Sequence, residues 1–74
     1  MQQKAFVIGL GASGEACTKF LLNRQWSVYA TDTRQQPPAL ARLAGTDGFE
    51  FVPLDEAEKS LADCSLLVMS PGIS

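Results

Sequence analysis

The sequence predicts an α/β domain with a mostly parallel sheet in the order βαβαβαβ. Three observations carry that expectation. Short apolar runs of strand length alternate with segments of helical period. Glycine or proline marks most of the junctions between them. A glycine cluster, Gly9-Leu10-Gly11-Ala12-Ser13-Gly14, follows the first run and opens the first helical segment. Alternation of this kind leads to right-handed crossovers with helices on both faces, a Rossmann-like sheet.

The elements follow in order. Ala5 to Leu10, containing Phe6, Val7 and Ile8, reads as a strand buried on both faces. Ser13 to Arg24 takes a helical period, with Cys17, Phe20 and Leu21 placed on one face and Glu15 and Lys19 spaced as an i,i+4 pair. Ser27 to Thr31 is a second strand, entered at Trp26 and leading into Asp32-Thr33-Arg34. Pro37 and Pro38 precede a short helix over Ala39 to Ala44, where a proline at the first helical position sacrifices no bond. Gly45 and Gly48 end it, and Phe49 to Val52 forms a third short strand. Asp55 and Glu58 have capping-box spacing and predict a helix start that runs to about Ala62. Ser65 to Ser70, built on Leu66, Leu67, Val68 and Met69, is the fourth strand.

Composition sets the outer limits. The 74 residues are 46% hydrophobic and 19% charged, with a net charge of -2. A chain of this size makes one small domain with a modest core. Its Lys and Arg residues are scattered, which argues against a duplex nucleic-acid partner. Glycines and Glu15 interrupt the N-terminal apolar run before a signal-peptide core or membrane span is complete, so the expectation is a cytoplasmic protein without a membrane partner. There is no His, and Cys17 and Cys64 lack CxxC spacing. Both read as small core residues. The predicted core also takes in Phe20, Leu21, Val28, Leu40, Leu43, Phe51, Leu61 and Leu67, with Trp26 anchoring the helix-to-strand junction. The chain ends at Ser74, just after a strand and a turn, where such a sheet ordinarily continues. A piece of a longer enzyme, residues 1–74 forming a partial first domain, is the expectation.

The glycine cluster carries the strongest functional signal because its context is strand, turn, helix. Gly9 permits a tight turn, Gly11 lets main chain approach a phosphate, and Gly14 allows close helix-to-sheet packing. Ser13 is placed to cap the helix and to offer a hydroxyl to a phosphate oxygen. The plain alternative is a turn that only joins strand to helix. Asp32, eighteen positions after Gly14, ends the second strand where a carboxylate can serve ribose hydroxyls; it can equally cap the turn that follows. Arg34 reads either as a phosphate contact or as a solvated side chain. In the strand order 3-2-1-4, Ser70-Pro71-Gly72 faces the glycine loop across the topological switch point, although Pro-Gly also makes an ordinary turn. The Asp55, Glu56, Glu58 cluster reads as a helix start, not as a metal site.

Three stretches together, VIGLGASG at 7–14, DTR at 32–34 with PPAL at 37–40, and SPGIS at 70–74, resemble the N-terminal domain of the D-glutamate-adding branch of the Mur ligase family, which serves peptidoglycan synthesis. The resemblance spans nearly the whole chain. It implies a first domain that holds the UDP moiety of UDP-N-acetylmuramoyl-L-alanine. Two further domains, a central one for ATP and a C-terminal one that helps place the incoming amino acid, would lie in the same protein. It implies that Ala12 and Ser13, in a substrate-binding loop from Gly11 to Gly14, meet the phosphate region, that Asp32 and Thr33 contact uracil, that Arg34 lies beside the nucleotide, and that Gly72 closes the pocket. Relatives carry a larger residue and Thr where this sequence has Ala12 and Ser13; the hydroxyl is kept and some covering surface is lost. Catalysis in the family proceeds through an acyl phosphate, with ATP, magnesium and a carbamylated lysine in the central domain. No GxxxxGKS or GxxxxGKT motif occurs here, so the implied ATP, magnesium and catalytic residues lie outside this chain. The glycine loop and Asp32 would also suit the NAD(P)-binding domain of an oxidoreductase, or a regulatory nucleotide-sensing domain. DTR and SPGI distinguish the ligase reading from both.

Overall fold

A computed structural model describes residues 3–34 and 37–69. The strands are β1 (Lys4–Ile8), β2 (Ser27–Thr31), β3 (Phe49–Phe51) and β4 (Leu66–Met69), and the α-helices are α1 (Ala12–Asn23), α2 (Pro38–Leu43) and α3 (Ala57–Leu61), the last preceded by a 3-10 turn over Leu54–Glu56. All strand pairs are parallel, and the sheet order is β3-β2-β1-β4. The expected Rossmann-like topology is therefore what the chain forms, with β1 at its centre.

Register explains the core. Ala5 pairs with Val28 and Val7 with Ala30, and all four are essentially buried, on one face with Leu10, Leu21, Ala39 and Leu43. Right-handed crossovers put α1 and α2 together over that face because β1, β2 and β3 advance in one direction; the return to β4 sends α3 to the other face. A side-chain clamp confirms that α1 and α2 are neighbours. Arg42 donates from Nε and Nη2 to the two Glu15 carboxylate oxygens at 2.6 and 2.7 Å. Lys19 joins Glu15 at 3.3 Å, as its i,i+4 spacing predicts. Trp26 is half-buried against the same core, and its main-chain N–H donates to the Leu21 carbonyl.

The structure corrects several expectations. The inward face of α1 is Gly14, Thr18 and Leu21. Cys17 and Phe20 sit about 60° and 120° around the helix from Gly14, so Cys17 is exposed and Phe20 is 56% exposed. The close approach at Gly14 fixes that rotation, and Arg24 stacks over the outer Phe20 ring at 4.5 Å. Cys64 is half-buried, and burial pushes its thiol up from the ordinary value. Of the expected core, Leu40 and Phe51 are half-buried, whereas Leu61, in a five-residue α3 none of whose residues is buried, is 37% exposed, and Leu67 in β4 is 48% exposed. Asp55 does not cap a helix. Pro53 starts a 3-10 turn in which the Glu56 N–H donates to the Pro53 carbonyl at 2.9 Å, leaving Asp55 inside that turn and α3 without a side-chain cap.

Candidate functional site

The carboxyl ends of β1, β2 and β3 converge, and the site is assembled there. After β1, Gly9 adopts φ 97°, a left-handed conformation that favours glycine, and its N–H donates to the Thr31 carbonyl at 2.8 Å. The chain then turns through Leu10 into Gly11, the residue before α1. The reason for Gly14 is steric: a Cβ there would lie 1.8 Å from the Gly9 carbonyl oxygen. Helix and turn can touch only if that position has no side chain.

Gly11 differs. A Cβ there would meet nothing within 4 Å, and its φ of -77° suits any residue. Unlike Gly9, Gly11 is therefore not required for its backbone angle, and what it preserves is open space at the helix entrance. Ser13 does not cap α1: Gly11 occupies the cap position, no side chain bonds the end, and Ser13 lies exposed in the first turn with Ala12. The first-turn N–H groups of Ala12, Ser13 and Gly14 have no carbonyl four residues back within the helix. Together with the dipole they favour an anion at this end.

Asp32 ties the two halves of the site together. It is 7% exposed, and its carboxylate accepts the Leu10 N–H at 2.8 Å, the Arg34 N–H at 2.9 Å, and the Arg34 Nε and Nη2 at 3.0 and 2.9 Å. The Arg34 guanidinium, helped by the two main-chain N–H groups and opposed by burial, holds this carboxyl far below the usual carboxylate range. Of the two readings of Asp32, the structure shows the turn-fixing one, and the bond from Leu10 sets the carboxylate beside the glycine loop. The contact from Leu10 was missed because hydrophobic residues announce no main-chain donor. Arg34 is half-exposed and Thr33 exposed.

The structure therefore brings Gly11, Ala12, Ser13 and Gly14 beside Asp32, Thr33 and Arg34. Gly72 and the rest of SPGIS lie outside the described residues. A cleft of about 590 Å³ opens on the far side of Asp32-Thr33-Arg34, with Phe51, Pro53, Leu54 and Asp55 as its opposite wall. That wall was not anticipated, although the order 3-2-1 puts the end of β3 beside the end of β2. A second cleft, about 630 Å³, lies at the amino ends of the strands among Gln3, Trp26 and Gly48. Open α/β sheets bind ligands at the carboxyl ends, which favours the first.

A family model for the Mur ligase MurD-like N-terminal domain matches residues 3–74. The UDP-N-acetylmuramoylalanine--D-glutamate ligase of Pasteurella multocida (strain Pm70) is 37% identical over 75 residues, covering 97% of this chain and 16% of its own. The ligase of the same name from Thiobacillus denitrificans is 36% identical over 74 residues, covering 96% and 15%. That from Marinobacter nauticus is 35% identical, covering 97% and 16%. The chain thus spans about 16% of the length of these relatives. No solved structure matches it.

Proposed function

The chain belongs to the family of Mur ligase MurD-like N-terminal domains, and from that premise we propose that residues 1–74 hold the UDP moiety of UDP-N-acetylmuramoyl-L-alanine within a cytoplasmic, ATP-dependent ligase that adds D-glutamate in peptidoglycan synthesis. The observation that carries the reading is the open, uncapped entrance of α1, hydrogen-bonded through Leu10 to Asp32 and so set beside Asp32-Thr33-Arg34.

In this reading the diphosphate sits over Gly11, whose missing side chain leaves it room, and accepts N–H bonds from Ala12, Ser13 and Gly14. The Ser13 hydroxyl adds one donor. Asp32 and Thr33 face the uracil end, Arg34 lies alongside, and Gly72 closes the pocket. Since four N–H donors already occupy the Asp32 carboxylate, its first task is to hold the glycine loop and Arg34 in place; direct contact with a ligand requires Arg34 to release it. The group transfer, with ATP and magnesium, belongs to the central and C-terminal domains of the longer enzyme, and this domain's part is to fix one end of the substrate so that its carboxylate is presented there.

An NMR titration of the domain tests the reading. UDP is expected to shift the amides of Gly11 to Gly14, Asp32 to Arg34 and Gly72, with NAD leaving them nearly unmoved. Equal or larger shifts with NAD would transfer the site to the dinucleotide-binding oxidoreductases.

A further inference from the structure

Leu54 is a large hydrophobic side chain left 53% exposed, and it stands on a rigid mount. Pro53 fixes the approach at φ -58°, the Glu56 N–H closes the turn onto the Pro53 carbonyl, and the Val52 N–H donates to the Ala30 carbonyl at 2.8 Å, tying this loop to β2. The residue therefore stands on a turn anchored to β2, the strand that leads into Asp32. Across the cleft of about 590 Å³ lie Thr33 and Arg34, a volume within the range that small-ligand sites occupy.

A heterocyclic base needs an apolar surface for its flat face and polar groups for its edge. The Asp32-Thr33-Arg34 wall is polar, and Asp32 is already occupied by its own chain's donors. The opposite wall supplies Pro53 and Leu54. We propose that Leu54, backed by Pro53, packs against the face of the pyrimidine base and is a further binding residue of this site. The inference rests on the UDP reading above and extends the site to the loop after β3. Because Leu54 is half-exposed without ligand, its substitution acts on the bound complex far more than on the fold.

The test is calorimetric titration of the full-length enzyme with UDP, beside saturation-transfer NMR on the bound nucleotide. Leu54→Ser is expected to raise the Kd for UDP by about fivefold, the worth of part of one buried aliphatic side chain. Saturation of the uracil H5 and H6 protons should fall relative to the ribose H1′. Leu54→Met, which keeps an apolar surface, should bind as the parent does, and thermal unfolding should be unchanged in both. A Kd within twofold of the parent, or an equal fall at base and ribose, overturns the assignment of Leu54 while leaving the UDP site standing. No UDP binding by the parent enzyme overturns the UDP reading itself, and this inference with it.

Discussion

β1 and β4 are neighbours in the sheet, paired in register from Ala5 with Leu66 to Ile8 with Met69, and both are short apolar runs. Their surroundings differ completely. Ala5, Phe6 and Val7 are fully buried between β2 and β4, Ala5 and Val7 on the α1 face, whereas Leu66, Leu67 and Met69 are 38%, 48% and 67% exposed. The same contrast divides the molecule. The β1-α1-β2-α2 half has a continuous core, a clamp from Glu15 to Arg42 and a hydrogen-bonded glycine turn; α3 buries no residue of its own. An apolar strand records which surface has to be covered. It does not reveal whether the cover lies within the same 74 residues.

If the glycine turn is where the tight half is tightest, it should break hardest there. Gly14→Ala drives a methyl group into the Gly9 carbonyl oxygen, a backbone atom that cannot rotate away. A loss of about 3 kcal/mol or more is expected in chemical denaturation, at the upper end of overpacking costs. Gly11→Ala sits three residues away and meets open space at an ordinary φ. Its stability should stay within about 1 kcal/mol of the parent, while UDP binding is lost where the methyl group displaces phosphate. Similar stability losses for the two variants would erase the division between a packing glycine and a ligand-facing one.

That division was legible only in part. The spacing of Gly9, Gly11 and Gly14 after a strand shows a turn into a helix, and the order of elements identifies the sheet, because periodicity and punctuation are local signals. Which face of α1 points inward is not local. It follows from the contact at Gly14, which turns Phe20 outward and leaves Thr18 inward, its hydroxyl donating to the Gly14 carbonyl at 2.8 Å. Asp32 was legible as a strand-ending carboxylate, but not its saturation by Leu10 and Arg34, since main-chain donors are common to every residue type. The wall at Pro53 and Leu54 was hidden for a similar reason: a proline and a leucine in a loop have no distinctive spacing, and their importance comes from the adjacency of β3 and β2.

The two ion pairs sharpen the contrast at lower cost. Both carboxylates are depressed, Asp32 from an ordinary 3.8 to well below the carboxylate range and Glu15 from 4.5 to about 2, the latter through its bonds to Arg42 and then Lys19, partly offset by desolvation. A depressed carboxyl stabilises the fold above its unfolded pKa, and that contribution is lost as pH falls through the folded value. Stability should therefore decline below about pH 4.5, with the Asp32 share persisting to more acidic conditions than the Glu15 share. Asp32→Ala should cost roughly 2 kcal/mol at neutral pH, because the buried Leu10 N–H is left without its acceptor. It should also flatten the acid limb of the stability curve. Glu15→Gln touches only an exposed clamp, so its smaller effect should fade in 0.5 M salt while that of Asp32→Ala persists. Equal salt sensitivity would mean that Asp32 is held by charge alone and not by its buried hydrogen bonds.

The smallest effect on folding is expected at β4. Among the described residues its only sheet neighbour is β1, so one edge presents unpaired main-chain groups with Leu66, Leu67 and Met69 exposed around them. An edge of that kind pairs with other chains, and an inserted charge is the usual protection against it. On the α1 side, Cys17, Phe20, Leu66 and Val68 line an uncovered groove that adds further apolar surface. The isolated 74-residue chain is accordingly expected to self-associate in sedimentation as its concentration rises. Leu67→Lys replaces a side chain that is already about half in water, so the unfolding free energy should change by less than about 0.5 kcal/mol. The same change places a positive charge on every copy at the edge, and like charges brought together across a strand pair repel. The variant should sediment as a monomer at concentrations where the parent does not. Unchanged association would place the contact away from this edge, and a large stability loss would mean that Leu67 belongs to the core, bringing β4 into the tight half and cancelling its contrast with β1.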